Sequence, residues 1–153
     1  MHILVFSDSH GEVEELCRVI EEERPDVVLH LGDHARDAEE LCACFPALDI
    51  RYVRGNCDFG SDTEDTLYPV FDGVSVLMTH GHRYNVKYTL DSLANAAHFS
   101  GCALALFGHT HQSEYKRLGD VTLFNPGSCG MGRRSYGTVD IDRGKFLCRL
   151  HDL

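Results

Sequence analysis

Basic residues are scarce in this sequence. Its 153 residues include 14 lysines and arginines against 24 aspartates and glutamates, which gives a formal net charge of −10. Proteins that bind nucleic acids regardless of sequence neutralise the phosphates with lysine and arginine. The shortage of these residues therefore argues against non-specific nucleic-acid binding.

Long apolar runs and linker-like stretches are also lacking. The first ten residues have no basic segment ahead of a short apolar stretch, so they do not predict a signal peptide. No later run is long enough to span a bilayer, so we expect no membrane partner. With 43% hydrophobic residues and no low-complexity segment, the sequence predicts one packed domain over residues 1–153.

The cysteines do not form an even set. There are seven of them, and most stand where a small apolar residue would serve. A disulfide framework is therefore not expected, and a reducing compartment, the cytoplasm, fits best.

Short apolar runs alternate with helical patterns in the first third of the chain. Residues 3–6, 26–31 and 50–53 predict strands. Between them, the apolar spacing of Val13, Leu16, Cys17 and Ile20 predicts a helix that ends before Pro25, and residues 36–44 predict a second helix. This β-α-β-α-β order implies parallel strands joined by helical crossovers.

The pattern changes after residue 66. Runs 67–71 and 74–78 flank Asp72-Gly73, which predicts a hairpin, and a helix over 89–99 precedes a strand over 102–107. Two more hairpins are predicted over 115–124 and 136–150. The sum is an α/β fold with two mixed β-sheets packed as a sandwich and flanked by helices.

Metal-binding residue types follow five of the predicted strands. They are Asp8 with His10, Asp33, Asn56, His80, and His109 with His111. One such loop would mean little, but five loops at strand ends predict a metal site, because function in such sheets gathers at the carboxyl ends of the strands. Alternate residues of an extended segment point the same way, so Asp8 and His10 are predicted to reach one ion. Mixed imidazole, carboxylate and amide ligands suit Mn²⁺, Fe, Co, Ni or Zn²⁺ better than Ca²⁺.

Five motifs in this order resemble those of the calcineurin-like metallophosphoesterase superfamily. The motifs are Asp8-Ser-His10, Gly32-Asp33, Gly55-Asn56-Cys57-Asp58, His80-Gly81-His82 and Gly108-His109-Thr110-His111, and the likeness runs from residue 8 to about residue 128. The short length, Cys57 and the segment Asn125-Pro126-Gly127-Ser128 most resemble the small YfcE/MJ0936-type phosphodiesterase branch. The retromer subunit Vps29 shares that fold.

This resemblance implies a single metallophosphoesterase domain that hydrolyses phosphodiesters. It implies two divalent ions per chain, Mn²⁺ first and Ni²⁺, Zn²⁺, Fe²⁺ or Co²⁺ as alternatives, with a bridging hydroxide that attacks phosphorus. It further implies that Asp8, His10 and His111 hold one ion. Asn56, His80 and His109 would hold the other, and Asp33 would bridge the two.

The third motif departs from the wider superfamily. Cys57 stands where a histidine is usual there, and a thiol is a weak substitute for an imidazole as a proton donor. We expect Cys57, Asp58 and His82 to take part in catalysis, Asp58 by orienting a ligand. Asn56, Arg133 and Arg134 are the predicted contacts to the substrate phosphate.

Two other functions remain open from the sequence. One is a metal-binding protein-interaction scaffold of the Vps29 type, although a scaffold has no need for the full set of ligands that is present here. The other is a phosphomonoesterase, which would use the same metal pair. The sequence also leaves open a homo-oligomer and the identity of the small phosphodiester substrate.

Overall fold

Two β-sheets that pack face to face make up the centre of the computed structural model, which describes residues 1–153. In chain order the elements are β1 (His2–Phe6), α1 (Val13–Glu23), β2 (Val27–His30), α2 (Ala35–Cys44), β3 (Asp49–Tyr52), β4 (Thr66–Leu67), β5 (Val70–Phe71), β6 (Val74–Thr79), a 3₁₀ helix (His82–Tyr84), α3 (Asp91–Phe99), β7 (Leu104–Leu106), β8 (Ser113–Leu118), β9 (Val121–Pro126), β10 (Ser135–Asp142) and β11 (Lys145–Asp152).

Both sheets are mixed. The first has the order β11-β10-β1-β2-β3, in which β1, β2 and β3 are parallel and β10 is antiparallel to β1. The second has the order β4-β6-β7-β9-β8, in which β6, β7 and β9 are parallel and β5 also pairs with β6. The predicted α/β sandwich is confirmed.

The core between the sheets comes from alternate residues of each strand. Ile3 and Val5 of β1 face Val76 and Met78 of β6 across this layer, together with Phe124 of β9. The intervening residues face outward, because side chains alternate along a strand. In the first sheet these residues pack under α1 and α2, and in the second they pack under α3. Both faces of the central strands are therefore covered, as their continuous apolar sequences predict.

The helices end where their sequences predict. α1 buries Val13, Leu16 and Ile20, and Arg24 after it adopts a left-handed conformation ahead of Pro25. α3 starts two residues later than predicted, at Asp91, whose N–H donates to the Thr89 hydroxyl at 3.2 Å. No helix in the structure is both long and apolar enough to cross a membrane.

One predicted strand is wrong in its extent. Residues 67–71 were expected to form one strand of a hairpin, but the structure divides them into β4 and β5 around Tyr68 and Pro69. Proline has no N–H to donate to a neighbouring strand, so the ladder is interrupted there. The turn itself forms as expected at Asp72-Gly73, between β5 and β6.

Candidate metal centre

The carboxyl ends of five parallel strands bring the predicted ligands together. We call this group the strand-end cluster, and its members are Asp8, His10, Asp33, Asn56, His80, His109 and His111. Within it, one candidate ligand atom from each of Asp8, His10, Asp33 and His111 lies within 4.8 Å of the other three. Because these residues come from loops after β1, β2 and β7, the grouping depends on both sheets.

The remaining members lie beside this group. His80 Nε2 is 3.2 Å from Asn56 Oδ1 and 3.5 Å from Asp33 Oδ2. The rings of His80 and His109 have centroids 5.0 Å apart. Asp33 therefore belongs to the first group and also contacts the second, which places its carboxylate between the two sets of side chains.

Two potential metal-ligand atoms in the cluster have no hydrogen-bond partner. Asp8 Oδ1 and His10 Nε2 are buried without a hydrogen-bond partner. His111 Nε2 is 3.0 Å from Asp8 Oδ1, but the two atoms do not have the geometry of a hydrogen bond. Buried polar atoms are nearly always satisfied, so convergent buried atoms without a protein partner are typical of a cation-binding site. The residues present thus fit a divalent metal.

Each carboxylate presents only one oxygen to the cluster. Asp8 Oδ2 accepts hydrogen bonds from the Ser7 hydroxyl at 2.6 Å and the His109 N–H at 3.1 Å. Asp33 Oδ1 accepts from the Cys57 N–H at 2.9 Å. Protein donors therefore fix the orientation of both carboxylates and leave the other oxygens available, as outer contacts do in metal sites.

The imidazole of His80 is oriented in the same manner. Its Nδ1 donates to the Leu31 carbonyl oxygen at 2.8 Å, so Nε2 is the ring nitrogen directed into the cluster. A neutral histidine held in this tautomer is a good metal ligand. The five motifs do not include Ser7 or Leu31, and no motif indicates a contribution from a backbone carbonyl.

Glycines allow these close contacts. A Cβ at Gly55 would collide with Asp33 Oδ1, and a Cβ at Gly108 would collide with the Ser7 hydroxyl. These two glycines therefore permit a backbone to approach the polar side chains of another loop.

The pKa shifts in the cluster have two main causes, burial and the carboxylates of Asp8 and Asp33. Burial opposes ionisation of Asp33, yet His80 and the Cys57 N–H together hold the pKa of this carboxyl below its usual range. Burial likewise lowers the pKa of His80, but Asp33 and Asp8 outweigh it, and the net shift is upward. Burial lowers the pKa of His109 to about 4, helped by the charge on His80. Without a cation, negative charge at the cluster attracts protons to His80.

The backbone in the cluster differs from what the sequence suggested. Asp8 and His10 were expected on an extended segment, but their φ angles are +53° and +48°. That expectation is wrong, and the two side chains converge because the loop turns tightly. Asp33, His109 and His111 also have positive φ. Such angles are uncommon outside glycine and concentrate at functional sites.

Residues predicted to take part in catalysis surround the cluster. The Cys57 side chain is exposed, but partial burial of the sulfur and the nearby Asp33 carboxylate raise the pKa of the thiol to about 11. Asp58 accepts hydrogen bonds from the N–H groups of Ala35 (2.8 Å) and Gly55 (2.7 Å), which flank Asp33 and Asn56 in sequence. His82 lies next to His80, with ring centroids 5.6 Å apart, and its Nδ1 is buried without a partner.

The two predicted phosphate-binding arginines have other partners. The Arg133 guanidinium pairs with Asp152 at 2.9 Å, and that of Arg134 donates to the Cys129 carbonyl at 2.7 Å and to Glu12 at 3.5 Å. Arg133 and His111 do line one open cavity of about 640 Å³. His34, which the sequence did not single out, lies against His10 with ring centroids 4.8 Å apart.

Curated proteins resemble this chain over nearly its full length. It is 33% identical to a probable metallophosphoesterase, YsnB, of Bacillus subtilis, in an alignment that covers 99% of this chain and 91% of the relative. It is 25% identical to the phosphodiesterase MJ0936 of Methanocaldococcus jannaschii, over 95% of this chain and 96% of the relative. These matches confirm the likeness to the small phosphodiesterase branch.

Solved structures show the same architecture. A predicted phosphoesterase of Streptococcus pneumoniae superposes with a TM-score of 0.81 at 27% identity, covering 99% of this chain and 88% of the other. Vps29 of Entamoeba histolytica, crystallised with Zn²⁺, superposes with a TM-score of 0.79 at 20% identity, over 99% of each chain. The Vps29 likeness shows a shared fold.

The family model that matches is described as the calcineurin-like phosphoesterase superfamily domain, and it spans residues 1–144. Its match includes every member of the strand-end cluster. This chain belongs to the calcineurin-like phosphoesterase superfamily.

Proposed function

We propose that this protein is a phosphodiesterase that depends on two divalent metal ions held by the strand-end cluster. The observation that carries the proposal is the convergence of buried carboxylate and imidazole atoms that lack hydrogen-bond partners. Relatives named as metallophosphoesterase and phosphodiesterase, at 33% and 25% identity, support the reaction class. A single domain over residues 1–153 would carry the whole activity.

The ligands divide into two sets around Asp33. Asp8, His10 and His111 would hold one ion, and Asn56, His80 and His109 would hold the second. Asp33 suits the bridging role because it contacts both sets. The mixed nitrogen and oxygen ligands favour Mn²⁺, with Ni²⁺, Zn²⁺, Fe²⁺ and Co²⁺ as alternatives.

Bound divalent cations would supply Lewis acidity, which lowers the pKa of water toward neutrality and offsets negative charge on a phosphoryl group. The protein would orient the substrate. Asn56 is exposed at the rim of the cluster, so its amide can also contact a phosphate oxygen.

A leaving alcohol needs a proton, and two side chains border the cluster as possible donors. The Cys57 thiol holds its proton at neutral pH, because its pKa is raised to about 11. His82 offers a ring nitrogen, although burial and the neighbouring His80 lower its pKa. The thiol is a weaker acid than an imidazolium, and His82 carries the second proton less often at neutral pH than a histidine with its usual pKa does. Substrates with good leaving groups should therefore react fastest.

The cysteines favour the cytoplasm as the compartment of this protein. All seven cysteines are free thiols, which is compatible with a reducing cytoplasm. A small phosphodiester is the proposed substrate.

The decisive experiment is an assay of metal-stripped protein. We expect no hydrolysis of bis(4-nitrophenyl) phosphate without metal, and recovery when Mn²⁺, Ni²⁺ or Zn²⁺ is added. 4-Nitrophenyl phosphate in parallel measures any preference for monoesters. His98→Ala is a matched control, since His98 pairs with Asp120 at 2.9 Å on the exposed surface, outside the cluster. Activity that survives exhaustive chelation would contradict the two-metal mechanism.

A further inference from the structure

Three buried polar side chains form a hydrogen-bonded chain behind the strand-end cluster. Ser9 and His30 are fully buried, and Asp37 is 6% exposed. The Ser9 hydroxyl oxygen lies 2.6 Å from Asp37 Oδ2 and 2.9 Å from His30 Nε2. None of the three is a member of the cluster, but Ser9 stands between two members, Asp8 and His10.

The direction of each hydrogen bond among Ser9, His30 and Asp37 is determined by their chemistry. A carboxylate only accepts, so the Ser9 hydroxyl donates to Asp37. The Ser9 oxygen must then accept from His30, which places the proton of the imidazole on Nε2. His30 Nδ1 is left as an acceptor, and the Gly32 N–H donates to it at 3.3 Å. Each buried donor is thereby satisfied.

These three hydrogen-bonded side chains connect two loops that carry cluster residues. The same Asp37 oxygen that accepts from Ser9 also accepts from the Gly11 N–H at 2.8 Å, so it holds the residues on both sides of His10. At the other end, Gly32 immediately precedes Asp33. The connected loops have costly backbones, because Asp8, His10 and Asp33 all have positive φ.

We propose that Ser9, His30 and Asp37 are positioning residues that fix the loop of Asp8 and His10 relative to the loop of Asp33. This role rests on the proposed metal centre. The three side chains hold the ligands at the separation that a cation requires before one binds. Without them, binding would have to order the loops, and the affinity for metal would fall.

The test is the affinity of metal-free protein for Mn²⁺, measured by isothermal titration calorimetry. Ser9→Ala removes the central hydroxyl, and we expect Kd to rise about tenfold or more, the range found for outer contacts in metal sites. Thr138→Val is the matched control. Thr138 is also buried, and its hydroxyl also lies 2.9 Å from a histidine ring nitrogen, that of His151, but in β10. We expect its Kd to match the wild type.

Asp37 provides a conservative rescue. Ser9 and Gly11 both donate to one oxygen, Oδ2, which an amide oxygen can replace. Asp37→Asn should therefore keep Kd within about threefold of the wild type, whereas Asp37→Ala should weaken it about as much as Ser9→Ala. Thermal unfolding of the metal-free variants identifies any that fail to fold.

A second readout needs no metal. The ¹⁵N shifts of His30 in metal-free protein should show a proton on Nε2 and a lone pair on Nδ1. A proton on Nδ1, or a Ser9→Ala variant that binds Mn²⁺ as tightly as a folded wild type, would overturn the positioning role alone. Wild-type protein that takes up no divalent metal would overturn the metal centre and this role with it.

Discussion

Positive φ angles occur at both ends of the sandwich, and the two ends differ in what holds them. At one end Asp72 and Arg143 have φ of +43° and +48°, and each precedes a glycine in a two-residue hairpin turn. Both turns are exposed. At the other end the positive angles belong to Asp8, His10, Asp33, His109 and His111, around the buried carboxylates of the strand-end cluster.

The hairpin turns are encoded locally. Two-residue turns of this kind need positive φ at both central positions, and glycine at the second position supplies one of them. The strand-end loops have no such local cause. Their hydrogen bonds come from distant parts of the chain, such as the His109 N–H that donates to Asp8 and the Ser128 hydroxyl that donates to the Asp8 carbonyl. At the strand ends the conformation is thus imposed by tertiary contacts. At the hairpins the turn residues favour it locally, and the two turns also contact each other, because the Arg143 N–H donates to Asp72 Oδ2 at 2.6 Å.

Matched aspartates at the two ends should give the largest contrast. Asp33→Ala should lose both metal ions. Phosphodiesterase activity should then fall about a thousandfold or more, because bound metal lowers the activation barrier by several kcal/mol. His111→Ala should lose at most one ion. Asp72→Ala should keep both ions, with stability reduced by about 1–2 kcal/mol, because alanine is strained at positive φ and Asp72 Oδ2 no longer accepts from the Arg143 N–H. Metal analysis by mass spectrometry and the assay above measure these effects. Two ions per chain in Asp33→Ala would show that Asp33 does not bridge.

Substitutions at Cys57 test whether the strand-end cluster lacks an efficient proton donor. Cys57→His introduces a group with an ordinary pKa of about 6.5, so alkyl phosphodiesters should be hydrolysed faster, by up to about 10²-fold. Nitrophenyl esters should gain little, since nitrophenolate leaves without protonation. With nitrophenyl esters, whose leaving group needs no proton, Cys57→Ala should leave both the rate and the metal content nearly unchanged. A large loss of rate or metal in that variant would make the thiol a catalytic group or a ligand.

Burial at the strand ends should also make the metal-free protein sensitive to acid. Burial lowers the pKa of His30 to about 4, so the unfolded chain takes up a proton at higher pH than the folded one does. The free energy of unfolding should therefore fall as the pH drops from about 6.5 to about 4, by about 3 kcal/mol in total from this residue. Urea unfolding at pH 7 and pH 5 measures the change. If His30→Gln shows the same pH dependence as the wild type, His30 is not its source.

The smallest effect is expected at the hairpin end. Arg143 occupies a position of positive φ that asparagine tolerates better, and Asn-Gly is the preferred pair for such turns. Arg143→Asn should raise the free energy of unfolding by about 0.5 kcal/mol and leave metal affinity unchanged. Denaturation and Mn²⁺ titration of the same variant check both statements. A change in metal affinity would show that the two ends are coupled.

Much of this protein followed from its sequence. The buried strands, the helices between them and the hairpins at Asp72-Gly73 and Arg143-Gly144 were predicted, because apolar periodicity and turn residues act locally. The members of the strand-end cluster were named as well. Each follows a strand, and parallel strands deliver their carboxyl ends to one edge whatever the details of packing.

Other features depended on contacts between segments far apart in the chain. The sequence suggested an extended Asp8-Ser9-His10, but hydrogen bonds from His109 and from residues 128–130 fold that loop back. It could not show that Arg133 pairs with Asp152, since an exposed guanidinium takes whichever acceptor the fold brings near. Nothing in the sequence indicated that Ser9, His30 and Asp37 are hydrogen-bonded to one another. The sequence also did not show which oxygen of Asp8 and Asp33 remains available to a metal. Each of these outcomes is set by distances between segments far apart in the chain, which exist only once the strands have paired and the sheets and helices have packed.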